Sequence, residues 1–173
     1  MKIVLAGAFG NLGAEILKCL CKAGHEVVAA DLKERPVEGC EGKYTFVSID
    51  ATNPETLKGL CEGADIAITT MGLTGASTKV TSYDIDYHGN LNFYNECVRA
   101  GVKKFNYISV ISCDQPGAEE VPMLHAKYLL EPRATRRRSS SGCLIRPLPQ
   151  SAMRTVRKRM LPICRQFSFA MRI

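Results

Sequence analysis

The sequence predicts an α/β protein built on a doubly wound parallel sheet with helices on both faces, and three observations carry that expectation. Short apolar, β-branched runs alternate with amphipathic segments of helical period along most of the chain. Those runs are largely apolar at every position, as strands covered on both faces require. The first of them ends in a glycine-rich turn that opens a helix. At 173 residues the chain is long enough for one sizeable core.

Taken in order, Lys2–Ala6 reads as a buried strand and Leu12–Cys21 as a helix with Leu12, Ile16, Leu17 and Leu20 on one face. Ala23-Gly24 stops that helix, and Glu26–Ala30 is a second strand ending at Asp31. Strand, glycine turn, helix and strand make one right-handed βαβ unit. Residues 32–43 read as a loop, and Tyr44–Ile49 as a third strand running into Asp50. Thr52-Asn53-Pro54-Glu55 has a cap, an early proline and a glutamate three residues after the threonine, the reciprocal arrangement that opens a helix. That helix closes near Gly59–Gly63, and Asp65–Thr70 is the fourth strand, entering the loop Met71–Gly75. Tyr83–Ala100 is a long amphipathic segment with Leu91, Tyr94, Cys97 and Val98 toward the sheet. Phe105–Ile111 is the fifth strand, and Val121–Leu130 a short helix with Pro122 in its first turn.

After Glu131 the grammar changes. Residues 1–131 hold 12 Lys+Arg against 17 Asp+Glu, whereas residues 132–173 hold 11 Lys+Arg and no acid. The overall charge of +6 therefore belongs to the tail. Runs such as Arg136-Arg137-Arg138 attract polyanions and anionic membranes without specificity, and no nucleic-acid recognition fold accompanies them. Leu144-Ile145 is the one strand start there. This composition fits either a genuine basic extension or a truncated or frameshifted gene end. The division expected is a nucleotide-binding domain over 1–131 and an atypical basic tail over 132–173.

No stretch approaches the roughly 20 apolar residues that span a bilayer. Eight cysteines without a CxxC pair fit no disulfide framework or zinc knuckle and read as small core hydrophobes. The expected compartment is the cytoplasm, where thiols stay reduced.

Chemistry concentrates at Gly7-Ala8-Phe9-Gly10-Asn11-Leu12-Gly13. Gly7 permits the sharp turn, Gly10 removes a side chain where a pyrophosphate would approach, and Gly13 lets the helix pack on the strands. The N–H groups of the first helical turn, aided by the helix dipole, then receive phosphates. Asp31 ends the second strand, where a carboxylate accepts hydrogen bonds from an adenosine ribose. That charge repels a 2′-phosphate and favours NAD over NADP, though Lys33 and Arg35 work against it. Asp50 either meets the adenine edge or caps the following segment, and Met71 and Gly72 end the fourth strand where they would pass beneath the adenosine and ribose. Asp84 and Asp86, with His88 nearby, are too few for a metal site.

These motifs resemble the short-chain dehydrogenase/reductase superfamily over residues 1 to about 131, in its extended and atypical branches, which have epimerase-like or nitrogen-regulator-like domains. Ala6 stands where many members have threonine. Tyr87-His88-Gly89-Asn90-Leu91-Asn92 is similar to a family helix segment, and Val102-Lys103-Lys104-Phe105-Asn106-Tyr107-Ile108-Ser109 to the fifth strand that delivers a hydroxyl to the nicotinamide. The resemblance implies a Rossmann-like fold, NAD or NADP as cofactor, and a tyrosine acting as acid or base four residues before a lysine. With Lys127 as that lysine and ribose contact, the tyrosine position is Met123, and the second hydroxyl position is Val110. Neither transfers a proton. Ser109 and His125 remain candidate catalytic groups beside Lys127, whereas Tyr128, adjacent to Lys127, should point away; Ser112 is another nearby hydroxyl. The implied function is an NAD(P)-binding protein with lost or weakened redox activity. The alternatives are an active reductase or epimerase-like enzyme on a small carbonyl or hydroxyl substrate, and a dinucleotide-sensing scaffold. In the family, further chain completes the sheet, so the resemblance implies a sheet incomplete on its C-terminal side and an edge that a protein partner could cover.

Overall fold

The computed structural model describes residues 1–73, 79–110 and 113–136. Five parallel strands, β1 (Lys2–Ala6), β2 (Glu26–Asp31), β3 (Tyr44–Ser48), β4 (Ile66–Thr69) and β5 (Lys104–Tyr107), lie in the order β3-β2-β1-β4-β5. The order reverses at β1, whose neighbours are β2 and β4. Ligands of doubly wound sheets bind at such a switch point, outside the carboxyl ends of the strands. The sheet is thus the Rossmann-like one expected. The Leu144-Ile145 strand and the arginine run beyond Arg136 lie outside the described residues, as do Ser112, Cys143 and Cys164.

Alternate residues along each strand serve two cores. Val4, Ala6, Val28, Ala30, Ala67 and Phe105 face one side, where α2 (Asn90–Arg99) lays Phe93, Tyr94 and Cys97. Leu5, Val27 and Ala29 face the other, under Leu17 and Cys21 of α1 (Asn11–Lys22). Phe93, fully buried, was not among the expected sheet-facing residues of that segment, whereas Tyr94 and Cys97 were. The buried stripe of α1 is Gly13, Leu17 and Cys21, with Leu12, Ile16 and Leu20 only partly covered.

Four elements depart from the expectation, the first being β5, which ends at Tyr107 rather than running to Ile111. The segment after Thr52 is a single 3-10 turn, Pro54–Leu57, and its cap is Asn53, whose side chain accepts from the Glu55 N–H. Thr52 instead donates to Asp50 through both its N–H and its hydroxyl (2.9 and 2.7 Å). Glycines at positive φ, Gly59 and Gly63, then stop any continuation. The long segment before β5 divides into a π-helix, Tyr83–Gly89, and α2. The last helix, α3 (Pro122–Arg136), runs past the expected end at Leu130. No helix among the described residues is long and apolar enough to cross a membrane.

Candidate dinucleotide site

The glycine turn separates what the fold needs from what a ligand needs. Gly7 sits at φ +76°, and a Cβ there would lie 2.7 Å from the Thr70 hydroxyl. A Cβ on Gly13 would collide with the Gly7 carbonyl oxygen. Both glycines are therefore demanded by packing. Gly10 is different: its φ of −70° suits any residue, and the nearest atom to an added Cβ is 3.5 Å away. Nothing among the described residues requires glycine there, so the open space above it is a cradle that a side chain would fill.

That cradle lies at the start of α1, which has no side-chain cap and no acidic residue in its first turn. The first helical bond back is from the Ala14 N–H to the Gly10 carbonyl. Helix N-termini with uncommitted donors and a positive dipole end suit phosphates. Asp31 reaches the same turn: its carboxylate accepts from the Phe9 N–H at 2.9 Å and the Leu32 N–H at 2.8 Å. Phe9 is buried with its ring against Tyr44 and Phe46, which fixes the turn on the sheet. Asn11 is exposed and Leu12 half-buried at the mouth. Asp50, also exposed, is engaged with Thr52.

Beyond β4 the polar groups are buried. Thr69 donates to Asn90 Oδ1 (2.6 Å), and Asn90 Nδ2 donates to the Met71, Ile85 and Asp86 carbonyls. Asn90 thereby ties the π-helix to the end of β4. Asp86, 1% exposed, accepts from the Leu73 N–H (3.0 Å) and forms an ion pair with Lys127 Nζ at 3.1 Å. Lys127 also donates to the Ile108 carbonyl (3.4 Å) and stands 5.3 Å from the centre of the Tyr107 ring. A Cβ on Gly72 would lie 2.8 Å from Asp86 Oδ1 and 3.7 Å from Lys127 Nζ. So Gly72, Asp86 and Lys127 form one packed unit. In the sequence its aspartate was weighed only with Asp84 as a metal pair, because its true partner lies on another element.

The remaining candidates lie around Lys127, on the chain that follows β5 and on α3. Ser109 is buried with its hydroxyl 3.8 Å from Cys113 Sγ, and the Cys113 thiol donates to Glu131 (3.3 Å). Burial pushes the Cys113 thiol up, and Glu131 acts in the same direction, so this sulfur is no ready nucleophile. His125 shares a hydrogen bond of 2.8 Å with the Tyr83 hydroxyl through Nδ1. It lines a cleft of about 320 Å³ together with Cys113, Asp114, Gln115, Glu119 and Tyr128. Met123 and Val110 are both half-buried and bring no hydroxyl. Tyr107 OH is buried without a hydrogen-bond partner, and burial together with the Asp86 charge drives its pKa far up, so it does not replace the missing phenol. Asp84 accepts from Thr81, apart from Asp86, and among the described residues no group of three His, Cys, Asp or Glu could hold a metal.

A family model described as NAD(P)H-binding matches residues 7–139. The chain belongs to that family. It is an NAD(P)-binding chain with a Rossmann-like fold. It is 29% identical over 133 residues to the photosystem II assembly factor Ycf39 of Synechocystis, covering 76% of this chain and 40% of that protein. It is 27% identical over 128 residues to a 3-beta-hydroxysteroid dehydrogenase of Mycolicibacterium neoaurum, covering 69% and 35%. The chain thus spans less than half the length of either relative. Among solved structures, UDP-glucose 4-epimerase of Thermus thermophilus in complex with NAD superposes with a TM-score of 0.68 at 20% identity, over 82% of this chain and 52% of that one. At such identity the likeness shows the fold.

Proposed function

We propose that residues 1–131 hold NAD in preference to NADP at the glycine turn, and that the tyrosine-dependent hydride chemistry of the superfamily is lost or weakened here. The observation that carries the binding reading is Gly10, a glycine that packing does not require, facing the uncapped start of α1. In this reading the turn Gly7–Gly13 takes the phosphates, Asp31 the adenosine ribose, and Met71, Gly72 and Lys127 the nicotinamide half. Asp50 stands where the adenine edge would lie. Bound dinucleotide supplies a hydride donor or acceptor. What the chain lacks is a proton source four residues before Lys127, since Met123 is a thioether.

Fluorescence titration tests both parts. NADH should bind more tightly than NADPH, and Asp31→Ala should narrow that difference by removing the carboxylate that repels a 2′-phosphate. Equal affinities in the native chain would refute the preference. Rapid NADH oxidation with simple aldehydes or ketones would refute the loss of chemistry.

One observation favours a second reading. His125, hydrogen-bonded to Tyr83, lines the cleft between residues 113–119 and α3, so it could move a proton for a small carbonyl or hydroxyl substrate. Turnover that survives Met123→Ala and fails in His125→Gln would establish it.

A further inference from the structure

The most unusual chemistry among the described residues is the buried pair of Asp86 and Lys127, whose side chains are 1% and 8% exposed. A lysine spent wholly on structure is ordinarily left at the surface, and burying two charges is costly even when they meet. Lys127 of α3 meets Asp86 at 3.1 Å, and Asp86 is carried by an element that is itself rare, a seven-residue π-helix, a geometry that accumulates at functional positions. Asn90 braces the π-helix, and the Leu73 N–H fixes the second Asp86 oxygen. Gly72 leaves only backbone between the pair and the carboxyl end of β4, and a Cβ there would press on the carboxylate.

The position of the pair says which half of a dinucleotide it would meet. Asp31 lies on β2, on one side of the phosphate turn that follows β1; β4 and β5 lie on the other. An extended ligand with its phosphates on α1 and its adenosine toward β2 lays its nicotinamide half over β4 and β5, beside Gly72 and Lys127. Oxidised and reduced nicotinamide differ by one positive charge. An ammonium without a counter-charge would disfavour the oxidised ring, and in a poorly solvated place that penalty is larger than in water.

We propose that Asp86 sets the redox-state preference of the dinucleotide site by cancelling the Lys127 charge beside Gly72, so that oxidised cofactor is admitted rather than repelled. The inference rests on the proposed binding of NAD and adds the selectivity of that same site. Asp86 is a specificity-determining residue that acts through Lys127. Glu131, the further carboxylate near Tyr107, is unchanged in every variant of the series and drops out of the comparison.

The test is a charge series in the full chain: native, Asp86→Asn, Lys127→Met and the double variant. NADH binding is followed by fluorescence and NAD+ binding by its displacement of NADH. Asp86→Asn leaves a lone ammonium and should raise the ratio of the NAD+ to the NADH dissociation constant at least about threefold. Lys127→Met leaves a lone carboxylate and should lower it by a similar factor. The double variant, neutral again, should return to within about twofold of the native ratio. Should Asp86→Asn fail to fold, Lys127→Met carries the same comparison with the opposite sign. A ratio unchanged by either charge overturns the inference while leaving the binding reading intact. Failure of the native chain to bind either form overturns both.

Discussion

Three glycines in one turn answer to different demands, and single substitutions separate them. Gly13→Ala forces a methyl against the Gly7 carbonyl and should cost at least about 1–3 kcal/mol of stability, read from denaturant midpoints. Gly10→Ala has room in the protein and should stay within about 0.5 kcal/mol of the native chain, while weakening NADH binding about tenfold. A Gly10→Ala chain that bound NADH normally would show that phosphate does not approach there. All three glycines were legible in the sequence because the turn is local. The Asp86–Lys127 pair was not, because 41 positions separate its members and Asp86 reads locally as one of two spaced acids with Asp84. For the same reason Tyr83 was missed as the partner of His125, though His125 itself was singled out.

At the scale of elements, the strands were legible from apolar runs and the helices from their period, but helix type was not. Asn53, Pro54 and Glu55 signal a start equally well for an α-helix or a 3-10 turn, and the outcome depends on residues further along the chain, here the glycines at 59 and 63. The irregular segment is held by a tertiary contact instead: Glu96 of α2 accepts from the Gly59 N–H (2.9 Å) and the Cys61 N–H (3.4 Å). The Arg99 hydrogen bond, with these two N–H groups, holds the Glu96 carboxyl below its ordinary value of 4.5. A lowered folded-state pKa stabilises the fold fully above the unfolded value, and that contribution is lost as pH falls through the folded one. Glu96→Gln should therefore destabilise at pH 7 by about 1–3 kcal/mol. The gap between variant and native chain should close on acidification below about pH 4.5, measured by urea unfolding. A gap independent of pH would mean that the carboxylate charge contributes nothing.

For the whole molecule, the two cores on opposite faces of the sheet and the packing beside α3 absorb five of the six described cysteines, Cys21, Cys40, Cys61, Cys97 and Cys113 being buried and Cys19 exposed. Burial pushes the Cys21 thiol up to about 11, with Cys40 beside it adding to the shift. In native protein at pH 8, alkylation followed by peptide mapping should therefore modify Cys19 well before those five, and denaturant should level the rates. Rapid native labelling of Cys61 or Cys97 would contradict the packing of α2 on the sheet. The division of charge between residues 1–131 and the basic remainder was plain from composition, whereas the continuation of α3 to Arg136 was hidden by Pro132 and the arginines after it. The central claim for the molecule is that the glycine turn holds a dinucleotide. Its most direct test is an NADH titration of isotopically labelled full-length chain followed by amide NMR. Saturable shifts of the Gly10 and Asp31 signals at a common dissociation constant are the predicted result; a dispersed spectrum in which neither signal moves would contradict it.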